Sequence, residues 1–126
     1  MSCGHERHGD RGAEEVKVRF GDLSVSLHHV WDHELFYGET GTVRQIADRL
    51  SSEITPELEH TWQAGTVEDW VNESHQLAQS VAYGLLPKGQ RVLIPLRYEA
   101  EARRTIELQL KRAGVRLAAV LNDVLK

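Results

Sequence analysis

Apolar residues follow two periods along this chain, and the switch between them divides it. Val16, Val18 and Phe20 alternate with Lys17 and Arg19, the two-residue period of a half-buried strand. Gly21-Asp22 supply a turn, and Leu23 to Val25 return as a short second strand. From Leu27 the period becomes helical, since Leu27, Trp31 and Leu35 recur every fourth residue until Gly38 ends the run. Thr42-Val43-Arg44-Gln45 has the form of a capping box, and behind it Val43, Ile46, Leu50 and Ile54 make the apolar stripe of one helix. Pro56 starts a shorter helix that carries Leu58 and Trp62 to Gly65.

Thr66 is the next N-cap, with Glu68 and Asp69 placed at the positive end of the helix dipole. Val67, Trp70, Val71, Leu77, Ala78 and Val81 form the expected buried face of that helix. The stretch from Leu85 to Pro95 holds two prolines and a glycine and reads as a connecting loop. The last helix, from Glu99, places Ile106, Leu110, Ala113, Leu117, Leu121 and Val124 at steps of three and four. Met1 to Gly12 is polar and aperiodic, and reads as a flexible loop or tail. The pattern predicts a mainly α chain, a helical bundle with one short β-hairpin, forming one domain or part of one over residues 1–126.

Composition narrows the function classes. The chain has 15 lysines and arginines against 19 aspartates and glutamates, a formal net charge of -4 at pH 7. No global positive field attracts polynucleotide, so contact with nucleic acid must be local and helped by a metal that offsets phosphate charge. Cys3 is the only cysteine, which excludes an intrachain disulfide. No stretch approaches the length of a membrane span, and nothing near Met1 reads as a signal peptide.

The candidate chemistry lies in Leu27-His28-His29-Val30-Trp31-Asp32. His28 and Asp32 stand one helical turn apart on one face, where an imidazole and a carboxylate can close on a single metal ion. A solvated hydrogen-bonding pair is the commoner result of that spacing. The surrounding segments change the balance. The run from Arg11 to Phe20, followed by Ser26-Leu27-His28-His29-Val30-Trp31-Asp32, resembles the zinc-dependent single-strand-specific nucleases of the nuclease S-one and nuclease P-one type. Those enzymes carry a Gly-Gly-Asn turn, a strand ending in an aromatic residue, and an Asn-Leu-His-x-x-Trp-Asp segment that opens a helix. Trp70-Val71-Asn72-Glu73-Ser74, Gln109-Leu110 and Ala113-Gly114-Val115-Arg116-Leu117-Ala118 look like the later helices of that family. The matching segments run in the family's order from about Asp10 to about Asn122.

The resemblance implies the fold shared with zinc phospholipase C. It also implies an endonuclease and 3'-nucleotidase that cleaves single-stranded DNA and RNA to 5'-phosphates. His28 and Asp32 then correspond to two ligands of one zinc in a three-zinc cluster, the third protein ligand being a histidine upstream of the glycine-rich turn. Zinc held by imidazole and carboxylate stays electrophilic enough to bind a phosphate oxygen and to bring the pKa of water toward neutrality. Family members are usually exported to the medium or periplasm and begin well upstream of these segments. The chain therefore looks like the C-terminal portion of a longer enzyme, with the catalytic residues and other ligands expected upstream.

In the family the glycine-rich turn helps to line a base pocket, which makes Gly12 and Glu14 the candidate substrate-binding residues. Ala13 and Glu14 stand where glycine and asparagine are expected, and a glutamate accepts hydrogen bonds without donating them. His29 and His33 share the i, i+4 spacing but lie about 100° around the helix and match no family ligand, so they read as a solvent-facing pair. His5 and His8 fall near the upstream ligand's place, yet no Pro-Leu precedes them, and a polar tail is the reading. Glu73 and Ser74 take packing and hydrogen-bonding roles, and Trp31, Trp62 and Trp70 belong to apolar stripes. The other reading is a non-catalytic helical interaction module or a decayed nuclease remnant. If the upstream segments are absent, uncovered stripes on the helices from Thr66 and Glu99 predict self-association or poor stability, whereas a compact, fully covered monomer favours the module.

Overall fold

Alternation in 17–26 produces the expected hairpin. The computed structural model describes residues 9–37 and 40–126. Strands β1 (Lys17–Phe20) and β2 (Leu23–Ser26) pair antiparallel, with Val18 opposite Val25 and Phe20 opposite Leu23. Gly21 takes the left-handed conformation, φ 57°, that the tight turn between them requires. Helix α1 (27–37) follows at once, capped by the Ser26 hydroxyl, which accepts from the His29 N–H at 3.1 Å. Its middle, Val30–Glu34, is a π turn between α-helical Leu27–His29 and Leu35–Tyr37.

Helix α2 (Val43–Ser52) carries the Thr42–Gln45 capping box. Helix α3 (Pro56–Gln63) has Pro56 in its first turn and the Thr55 hydroxyl as its cap. Helix α4 (67–83) begins at a second capping box, Thr66 with Asp69, and its last turn, Ala78–Tyr83, is again π. Hydrogen bonds from the Thr66 backbone and side chain hold the Asp69 carboxyl below its usual range. Helix α5 (Leu96–Val124) starts directly after Pro95, three residues before the expected Glu99. Extended Pro95 is the N-cap, a position that needs no backbone N–H.

Ala13, Val18, Leu27, Val30, Leu35, Ile94, Tyr98 and Ala102 close one core between the hairpin, α1 and the first turns of α5. The connecting loop contributes as well. Arg19 donates to the Val92 carbonyl and Ile94 to the Arg19 carbonyl, both at 2.8 Å, which covers the open edge of β1.

The helical stripes are buried less than their periods suggest. Val67 and Val71 are exposed on α4, no residue of Val67–Leu77 is buried, and Trp70, Leu77, Ala78 and Val81 are half-buried. On α5 the buried residues are Tyr98, Ala102 and Val115, whereas Leu110, Leu117, Leu121 and Val124 are exposed. Val43 is exposed too, although Ile46 and Leu50 of its stripe are buried. A 3.6-residue period tells which side chains share a face but not whether another element covers it. Within the expected loop or tail of Met1 to Gly12, Asp10 and Gly12 are buried, together with Ala13, in an ordered turn. His5 and His8 lie outside the described residues.

Tyr98 anchors the core electrostatically as well as by packing. Its hydroxyl donates to the Ala82 carbonyl and accepts from Trp31 Nε1 at 3.0 Å, and the two rings meet edge-on. Burial pushes the phenol up to about 12 from an ordinary value of 10.0. The neutral form is the one that fits. Its stabilisation is complete below pH 10.0 and is lost as pH rises through about 12. Tyr98→Phe leaves the Trp31 indole N–H and the Ala82 carbonyl without this partner, at a cost of about 1–3 kcal/mol. Urea unfolding as a function of pH checks both effects: the variant is weaker at pH 7 and lacks the tyrosine contribution to alkaline unfolding.

Candidate metal centre

The helical spacing brings His28 and Asp32 together. His28 Nε2 lies 2.8 Å from Asp32 Oδ2, both on the same side of α1. The other ring nitrogen, Nδ1, is 2.8 Å from the Gly12 carbonyl oxygen. A carbonyl only accepts, so Nδ1 carries the proton and, in the neutral ring, Nε2 presents its lone pair to the Asp32 carboxylate. Two acceptors at that separation repel unless a proton or a metal cation lies between them. Backbone anchoring of the far nitrogen is how a metal-ligating histidine is oriented.

Glu14 joins the same corner. Its Oε1 lies 3.8 Å from His28 Nε2, and its Oε2 accepts from the Ser26 hydroxyl at 3.4 Å. The two residues of the turn that the sequence singled out, Gly12 and Glu14, thus both face His28, one through its carbonyl and one through its side chain.

Asp10, which sequence reasoning passed over, shapes the turn that delivers them. Its buried carboxylate accepts from the Ala13 N–H at 2.9 Å and from the Tyr83 hydroxyl at 2.7 Å, tying the turn to the end of α4. Arg11, Gly12 and Ala13 all have left-handed backbone, with φ 57°, 66° and 70°. That conformation costs a non-glycine residue about 1–2 kcal/mol, and charge-assisted hydrogen bonds to Asp10 offset it. An aspartate three residues before the donor N–H is a local Asx-type signal that a sequence reader can find.

One face around from His28, a second group gathers. His29 Nε2 and His33 Nδ1 lie 3.1 and 3.2 Å from the same oxygen, Glu34 Oε1. Their rings stack at 4.9 Å. The expected solvent-facing pair is therefore a three-residue cluster, and Glu34 is the member that spacing did not reveal.

Asp32 also borders a cleft of about 400 Å³ between α1, α4 and α5, lined by Trp31, Ser74, Leu77, Ile106 and Gln109 among others. Beyond it the scaffold is held by Glu73, which receives both guanidinium nitrogens of Arg116 at 2.8 and 3.0 Å. Those bonds hold the Glu73 carboxyl below the usual range against the opposing effect of burial. Ser74 accepts from Gln109 at 3.0 Å, so Glu73 and Ser74 have the packing and bridging roles that the sequence suggested. Trp62 is buried, and Trp70 lies under the Arg116 guanidinium, 5.0 Å from it.

A family model described as S1/P1 Nuclease matches residues 4–126. The chain belongs to the S1/P1 nuclease family. No individual curated protein sequence matches it. Membership accounts for the all-α architecture with one hairpin, and it carries an expectation of zinc dependence. The donor set fits that metal: an imidazole nitrogen fixed by a backbone carbonyl faces a carboxylate, the ligand types zinc takes in hydrolytic sites. Among the described residues no helix is long and apolar enough to cross a membrane.

Proposed function

We propose that this S1/P1 family chain carries His28 and Asp32 as two zinc ligands of a phosphodiesterase site acting on single-stranded DNA and RNA and on 3'-nucleotides, with 5'-phosphate products. The observation that carries the reading is the fixed tautomer of His28. With Nδ1 committed to the Gly12 carbonyl, Nε2 is directed at the Asp32 carboxylate. Bound zinc supplies Lewis acidity toward a phosphate oxygen and a lowered pKa for water. The protein's own part is to hold the two donors in place: Gly12 orients His28, Asp32 adds the negative charge that favours a cation, and Asp10 locks the turn behind them. Two donors bind zinc weakly by themselves, so the site draws on further ligands, as the family's three-zinc cluster does.

Glu14 bears on specificity. A carboxylate beside the site selects base edges that donate, such as exocyclic amino groups, over edges that only accept. Glu14→Gln adds a donor and is expected to broaden base preference by roughly tenfold, one to two hydrogen bonds' worth. Cleavage rates on oligonucleotides of each single base check this. An exported setting, secreted or periplasmic, follows from the family and belongs to the same proposal.

The experiment that tests the function is cleavage of a single-stranded oligonucleotide by the zinc-loaded protein, with the new ends assayed for 5'-phosphate and with a chelator as control. Chelator-sensitive cleavage is the expected result when the chain is joined to the segments that carry the other ligands; by itself it is expected to bind zinc weakly and to cleave little. A zinc-loaded protein that binds metal at His28 and Asp32 but never cleaves favours the non-catalytic helical module instead. Exposed apolar residues along α4 and α5 leave a face that further segments or a second copy can cover, so they do not by themselves favour the module. Association of a second copy through that face gives a sedimentation coefficient that rises with concentration.

A further inference from the structure

We propose that His29, His33 and Glu34 form a second divalent-cation site, on a different face of α1 from His28 and Asp32, that takes zinc or a similar first-row transition ion. Two imidazole nitrogens close on one carboxylate oxygen. One carboxylate oxygen, Glu34 Oε1, lies 3.1 Å from His29 Nε2 and 3.2 Å from His33 Nδ1, and the three donor atoms all lie within 4.8 Å of one another. In a tetrahedral zinc site with bonds of about 2.0–2.1 Å, adjacent donor atoms are about 3.3 Å apart. The two nitrogen-to-oxygen distances already match that edge.

The π turn is what makes the group possible. In an α-helix residues five apart, such as His29 and Glu34, point about 140° away from each other. The wider i→i+5 turn over Val30–Glu34 returns Glu34 to the side of His29, while His33, four residues on, stacks against it with ring planes 17° apart. His29 and His33 are both partly exposed, and the buried residue of the turn is Val30.

The chemistry selects the ion. Two imidazoles and one carboxylate favour zinc, cobalt or nickel over magnesium or calcium, which prefer oxygen ligands. Three protein donors leave a fourth position for water or for a phosphate oxygen. The site does not depend on the nuclease reading, since it uses none of the residues of the first centre.

The test is cobalt(II) binding to the full chain in three forms: wild type, His29→Ala/His33→Ala, and His28→Ala/Asp32→Ala. The ligand-field absorption of cobalt reports imidazole ligation, and bound metal is counted after gel filtration. The expected result is one fewer ion in the His29→Ala/His33→Ala protein, with an imidazole-type spectrum retained by the His28→Ala/Asp32→Ala protein. Glu34→Gln should weaken that retained site by at least tenfold while keeping the helical circular dichroism. Equal stoichiometry and affinity in wild type and His29→Ala/His33→Ala, or loss of the whole cobalt spectrum in His28→Ala/Asp32→Ala, overturns the proposal. If the chain joined to the segments that carry the other ligands fails to cleave but the His29-dependent spectrum persists, the nuclease reading falls and this site stands.

Discussion

With the chain joined to the segments that carry the other ligands, alanine at position 28 or 32 is expected to lower zinc-dependent cleavage of single-stranded nucleic acid by roughly a hundredfold or more while leaving the helical circular dichroism unchanged. Both side chains are partly exposed and neither belongs to the core around Leu27, Val30 and Leu35, so their loss falls on the ion and not on the fold. His28→Ala removes the imidazole and releases the Gly12 carbonyl from its contact at 2.8 Å. Asp32→Asn keeps the shape but removes the charge, and should fall between wild type and Asp32→Ala. His29→Ala, one residue away, should leave cleavage within about threefold, because its partner is Glu34 and not Asp32. Release of 5'-phosphate ends at saturating zinc gives the comparison.

The largest effect on stability is expected at Arg116. Its guanidinium binds both oxygens of Glu73, its Nε donates to the Trp62 carbonyl at 3.0 Å, and its plane covers Trp70, so one side chain on α5 joins α3 and α4. Arg116→Ala leaves Glu73 and the Trp62 carbonyl short of donors inside a half-buried contact, for a loss of about 3 kcal/mol. Arg116→Lys restores the charge without the bidentate fork and should recover less than half of that.

The pH dependence follows from Glu73. Its folded pKa lies below the ordinary 4.5, so the ion pair contributes fully above pH 4.5 and fades as pH falls through the lower folded value. The gap between wild type and Arg116→Ala in urea unfolding should therefore be widest near neutrality and close in acid.

What the sequence made legible was local. Thr42, Pro56 and Thr66 marked helix starts correctly because capping is settled within four residues, and the hairpin followed from alternation and Gly21. His28 and Asp32 were legible for the same reason, one turn of one helix. The illegible parts are those that depend on distant chain. Gly12 and His28 meet across 16 residues, and Asp10 meets Tyr83 across 73, distances at which spacing says nothing. Exposure of Val67, Val71, Leu117 and Leu121 depends on which elements cover them, which periodicity does not encode. The π turn of α1 had no signal in residue type, and without it Glu34 lies away from His29 and His33.

The central claim is that His28 and Asp32 hold zinc. Its most direct test is zinc bound at equilibrium by the His29→Ala/His33→Ala protein, where the second cluster is removed, with and without the further change Asp32→Ala. The Asp32→Ala change is expected to lower zinc affinity by at least tenfold in that background, and His28→Ala to do the same. Unchanged zinc binding after both changes contradicts it.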